Sequence, residues 1–61
     1  MGRKRQTEAS ELVTSLLGRG MRTEQIAVEL EVHNNSVLRW RDGVANPHLS
    51  RLKRLRKMVA E

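Results

Sequence analysis

Apolar residues recur at helical spacing in four separate stretches of this chain. In chain order, the stretches hold Leu12, Val13, Leu16 and Leu17; then Ile26, Ala27 and Leu30; then Val37 and Trp40; then Leu49, Leu52, Leu55 and Val59. Residues three or four positions apart share one face of an α-helix, so each stretch indicates a short amphipathic helix. The pattern therefore predicts an all-α fold of four short helices.

Capping and turn residues separate the first two predicted helices. Thr7 is a suitable N-cap for the first helix, and Gly18 and Gly20 are expected to end it. Thr23 is expected to cap the second helix. Val32 follows the last apolar residue of that helix by only two positions, which breaks the helical period and predicts a tight turn.

Similar signals bound the third and fourth helices. His33 or Asn34 is expected to cap the third helix, which then runs to about Asp42, with Gly43 after its end. The dipeptide Asn46–Pro47 predicts the N-cap and the first position of the fourth helix, because proline fits the first helical turn.

The second and third predicted helices, with the short turn between them, fit a helix-turn-helix unit, which holds one helix in the major groove of DNA. Ala27 would allow the two helices to cross closely. The residues expected to hold the crossing angle are Ile26, Leu30, Val32, Val37 and Trp40. At about 100° per residue, the side of the third helix opposite Val37 and Trp40 carries Asn34, Asn35, Leu38 and Arg39. These four are expected to face outward, and asparagine, arginine and apolar groups suit contacts with base edges.

The charge distribution strengthens the expectation of a polyanionic partner. The 61 residues include twelve Lys and Arg against seven Asp and Glu, a formal net charge of +5. Eight of these twelve basic residues lie near the two ends: Arg3, Lys4, Arg5, Arg51, Lys53, Arg54, Arg56 and Lys57. We expect residues 1–6 to be a flexible basic arm and residues 7–61 to form one small domain.

Other functional classes find little support in the sequence. The chain has no cysteine, and His33 and His48 are isolated, so we expect no disulfide, metal site or cofactor. We find no catalytic arrangement of side chains, which argues against an enzyme and against a small-molecule substrate. No apolar run is long enough to span a membrane and no signal peptide is evident, so we expect a cytoplasmic protein at or near the nucleoid.

The run GMRTEQIAVELEVHNNSVLRWRDGVANP, followed by HLSRLKRLRKMV, resembles the Cro/repressor-type (XRE-like) helix-turn-helix family over about two-thirds of the chain. The resemblance implies a lambda-repressor-like domain and a compact phage-type transcription regulator that binds specific sequences in double-stranded DNA. It implies base contacts from Asn34, Asn35 and Arg39, with Leu38 as a further candidate. Implied phosphate contacts fall on Thr23, Ser36, Arg41, Val44, Asn46 and His48.

Two departures from the family pattern bear on these expectations. Glu31 occupies the turn position that is commonly glycine, so the turn either uses another backbone conformation or holds Glu31 in the left-handed region at some cost. The fifth helix that many relatives use for dimer contacts has no expected counterpart. Homodimerisation or cooperative pairing on DNA therefore stays open.

The basic arm also allows two interpretations. Arg3, Lys4 and Arg5 are similar to the arms of invertase-type recombinases and homeodomains, which imply minor-groove or phosphate contacts; the same residues could simply keep the chain soluble. Two alternative functions share the predicted fold. One is an excisionase-like or architectural DNA-binding protein, and the other is a phage adaptor that binds a host protein.

Overall fold

Four short α-helices make up the fold. The computed structural model describes residues 7–61, and the helices are α1 (Glu8–Gly18), α2 (Thr23–Leu30), α3 (Asn34–Arg41) and α4 (Leu49–Ala60). No strand occurs within this part of the chain. The prediction of an all-α fold with four short helices is confirmed, whereas the predicted basic arm, including Arg3, Lys4 and Arg5, lies outside the described residues.

One apolar core joins the four helices. Helix α1 packs against α3 and α4, and α2 packs mainly against α3 and less against α4. The buried apolar residues are Ala9, Val13, Leu16, Ile26, Ala27, Leu30, Val37, Trp40 and Leu55. The predicted inner positions of α2 and α3 are therefore all buried. On α1, Leu12 and Leu17 are half-buried and pack against the core, and Ala9 and Ser10 are buried as well.

Helix α1 begins with a reciprocal cap that uses a buried serine. Thr7 is the N-cap, as predicted, and its Oγ1 accepts a hydrogen bond of 3.0 Å from the backbone N–H of Ser10. The backbone N–H of Thr7 donates in turn to Ser10 Oγ at 3.1 Å. The two residues satisfy two donors that the first turn of a helix leaves without partners, which explains why Ser10 can be buried at this position.

Three of the helices end in the same backbone motif, in which a residue with positive φ follows the last turn. These residues are Gly20 (φ 98°), Glu31 (φ 57°) and Gly43 (φ 74°). After α2, the N–H of Val32 donates to the carbonyl of Ala27 at 2.9 Å and that of Glu31 donates to Val28 at 3.2 Å. This pair of bonds defines a Schellman motif. Of the two alternatives for Glu31, the left-handed conformation is the one adopted.

Two predicted caps are wrong by one or two residues. Arg22, not Thr23, is the N-cap of α2, and its backbone N–H donates to Gln25 Oε1 at 2.9 Å. His48, not Asn46, is the N-cap of α4: its backbone is extended, and its Nδ1 accepts a hydrogen bond from the N–H of Ser50 at 3.5 Å. Pro47 consequently precedes the helix. His33 caps α3 in the same way, with Nδ1 accepting from Asn35 at 3.2 Å.

Leu49 is not part of the inner stripe of α4, contrary to the prediction. Its side chain is 57% exposed, while Leu55 is fully buried and Leu52, Met58 and Val59 pack partly against the core. At 100° per residue, Leu49 lies about 120° around the helix from Leu55. The spacing of the leucines alone does not show which side of α4 faces the core.

Two long-range polar contacts fix α4 against α1. The guanidinium of Arg19 donates to the carbonyls of Met58, at 3.3 Å, and of Val59. It thereby places a positive charge on carbonyls that the last turn of α4 leaves unpaired. At the other end of α1, Arg56 donates from Nε and Nη2 to the two carboxylate oxygens of Glu8, at 2.5 and 2.7 Å.

Candidate nucleic-acid interface

The outer side of α3 carries two exposed polar side chains one turn apart, Asn35 and Arg39. They lie at i and i+4 and therefore share one face of the helix. Asn34 and Leu38 were also expected to face outward, but they are half-buried and therefore less exposed than Asn35 and Arg39. The prediction of an outward face is thus right for two of the four residues and only partly right for the others.

Asn34 is less accessible than its neighbour because its Oδ1 is closed to solvent. That oxygen has no hydrogen-bond partner within residues 7–61. Asn34 is the first residue of α3, directly after the capping His33. Asn35 is exposed and keeps its side-chain amide available.

The orientation of α3 is set by its buried side and by the turn before it. Val37 is fully buried and Trp40 is 6% exposed, so both side chains lie in the core beside Ile26 and Leu30 of α2. The left-handed Glu31 reverses the chain within the three residues that separate the two helices. Because the core is close-packed, these contacts hold the exposed side of α3 in one direction.

The loop after α3 is tied to the last turn of that helix. The carbonyl of Arg39 accepts from the N–H groups of Val44, at 3.0 Å, and Ala45, at 3.4 Å. Val44 is 76% exposed, and Asn46 and His48 are also exposed. Three of the predicted phosphate-contacting positions therefore lie at the surface in a loop fixed next to α3.

The other predicted phosphate contacts are less free. Thr23 and Ser36 are half-buried. Arg41 donates from Nε to Asp42 Oδ1 at 3.1 Å, so part of its charge is already balanced within the chain. Arg22, which the sequence reasoning did not single out, is exposed at the N-terminus of α2. Gln25 three residues later was the signal that could have located this cap.

Charge is unevenly distributed over the helices. Helix α2 carries Glu24 and Glu29 and no basic residue, and both line a groove against α4. Helix α3 carries Arg39 and Arg41 and no acidic residue. The exposed side of α3 is therefore the more favourable of the two for a polyanion.

Residues 7–61 contain no group of three or more histidine, aspartate or glutamate side chains placed to hold a metal ion. No helix in the same part of the chain has the length and apolarity needed to cross a membrane.

Comparison with known proteins gives no relative to reason from, since no protein-family model, curated protein or solved structure matches this chain.

Proposed function

We propose that this protein is a sequence-specific transcription regulator that binds double-stranded DNA, similar to the compact Cro/repressor-type proteins. In this proposal α2 and α3 act as a helix-turn-helix unit, and α3 enters the major groove. The protein would act in the cytoplasm or nucleoid by occluding operator or promoter DNA. It would need neither a cofactor nor a small-molecule substrate.

One observation carries the proposal: α3 is anchored by Val37 and Trp40 on one side and exposes Asn35 and Arg39 on the other. Asparagine can form two hydrogen bonds with adenine, and arginine can form two with guanine. Both side chains are within one helical turn, a spacing that suits neighbouring base pairs. Asn34 and Leu38 remain candidates for base contacts at the edge of this face.

Phosphate contacts would come from both sides of α3. On one side lies the N-terminus of α2, which includes Thr23. The unpaired backbone N–H groups of a helix N-terminus favour anions. On the other side are the loop positions Val44, Asn46 and His48. The excess of basic residues adds attraction that does not depend on sequence. If about five to eight phosphates are neutralised, log affinity falls with log salt with a slope of about −4.5 to −7.

The test begins with selection of bound duplexes from a random pool, followed by affinity measurements on the selected site and on its single-base-pair variants. Arg39→Ala is expected to weaken binding to the selected site by about 1–3 kcal/mol and to relax the preference at one base pair. Arg54→Ala removes the same charge from an exposed position on α4. This control is expected to weaken binding to all duplexes alike.

Two results would contradict the proposal. One is selection that yields no preferred sequence. The other is an Arg39→Ala variant whose losses are uniform across all duplexes, as in the control, since Arg39 would then contribute charge alone.

A further inference from the structure

A groove between α2 and the C-terminal end of α4 combines an apolar floor with an acidic rim. Its volume is about 470 Å³. The apolar lining comes from Met21, Val28 and Met58, and the acidic lining comes from Glu24, Glu29 and Glu61. Val28 is 74% exposed, so the groove leaves a large apolar side chain in contact with water.

The carboxylates of this groove form no ion pair within the described residues, although Arg54 and Lys57 of α4 line an adjoining pocket together with Glu29 and Glu61. Helix α2 supplies no basic residue. Because the carboxylates have no ion-pair partner, an occupant with a positive charge next to an apolar side chain complements the groove.

The same chain presents such a surface at the other end of α4. Leu49 is 57% exposed, and the exposed Lys53 follows it by four residues on the same side of the helix. Helix α4 contains no acidic residue. Leu49 and Met58 are nine residues apart, about 14 Å along a rigid helix, so the Leu49–Lys53 surface cannot reach the groove of its own molecule.

We propose that the Leu49–Lys53 surface of one copy docks into the α2–α4 groove of a second copy. Leu49 would cover Val28, and Lys53 would pair with the acidic rim. Because the two surfaces differ, the contact is head-to-tail and leaves one free groove and one free Leu49–Lys53 surface on every assembly that does not close into a ring. Asn35 and Arg39 belong to neither surface, so the inference does not depend on DNA binding.

The test is sedimentation equilibrium of the full chain without DNA, up to about 1 mM, where even a weak contact populates the associated state. The wild type is expected to rise with concentration from the chain mass of 7.0 kDa to beyond twice that mass. Val28→Lys blocks the groove and Lys53→Glu reverses the charge of the docking surface. Each variant alone is expected to stay at the mass of one chain. Both positions are exposed, and circular dichroism checks that each variant folds.

Mixing the two variants gives the decisive result. Val28→Lys retains an intact Leu49–Lys53 surface, and Lys53→Glu retains an intact groove, so the mixture is expected to form a dimer that grows no further. Arg39→Glu reverses a charge on the exposed side of α3 and is expected to associate like the wild type.

A wild type that stays at the mass of one chain at every concentration would overturn the proposal, and so would a mixture that shows no dimer. Continued association of either single variant would overturn it as well, because another surface would then hold the copies together. Loss of association in Arg39→Glu would move the contact to α3 and count against it equally.

Discussion

Glu31 is the one non-glycine residue with positive φ among residues 7–61, and its replacement by glycine should stabilise the protein. The left-handed conformation costs a residue with a side chain about 1–2 kcal/mol relative to its preferred conformations. Glycine avoids this cost but gives the unfolded chain more freedom, which offsets about 0.4–1 kcal/mol of the gain. We therefore expect Glu31→Gly to raise the free energy of unfolding by about 0.5–1 kcal/mol.

For a domain of this size, 1 kcal/mol corresponds to roughly 4–8 °C in Tm, so thermal unfolding should shift upward by about 2–8 °C. The control is Glu31→Ala, which removes the same carboxylate but retains Cβ. Because the Glu31 side chain is exposed and forms no hydrogen bond in the described part of the chain, this control should melt close to the wild type. If Glu31→Gly melts at or below the temperature of Glu31→Ala, the argument from backbone strain is refuted.

Two further predictions concern α1. Gly18→Ala should stabilise the protein by about 0.5–1 kcal/mol because Gly18 is helical and an added Cβ meets open space. An added Cβ at Gly20 also meets open space, but Gly20 has a φ of 98°, which is strained for a residue with a side chain. Gly20→Ala should therefore destabilise the protein by about 1–2 kcal/mol. If chemical denaturation shows that both substitutions change the free energy of unfolding in the same direction, this reasoning is contradicted. The hydrogen bonds and charge of Arg56 lower the pKa of Glu8, so the pair stabilises the fold above the ordinary carboxyl pKa of 4.5, and that contribution is lost as pH falls through the lowered value. Glu8→Gln should reduce the fall in the free energy of unfolding at acid pH. If the free energy of unfolding of the variant falls with pH as steeply as that of the wild type, the ion pair does not contribute.

Much of the fold follows from short-range features of the sequence. The helical spacing of apolar residues located all four helices, and the buried sides of α2 and α3 were predicted correctly. Thr7 was identified as a cap, and Gly43 marked the end of α3. These features depend on interactions within one or two helical turns, which the sequence displays directly.

The errors occurred where two local solutions were both acceptable. Asn46 and His48 can each cap a helix, and only the packing of α4 decided that the helix begins after His48. The same packing set the rotation that exposes Leu49. Glu31 likewise had two alternatives, and the structure adopts the left-handed conformation.

For the candidate interface, the sequence by itself determined which residue types are present and that Asn35 and Arg39 share one side of a helix. Only the tertiary structure decided that Asn34 and Leu38 are partly covered, that Arg41 is paired with Asp42 and that Arg19 caps α4 from 40 residues away. Helix periodicity arises from neighbouring residues, whereas the exposure and pairing of a side chain depend on which distant segment packs against it.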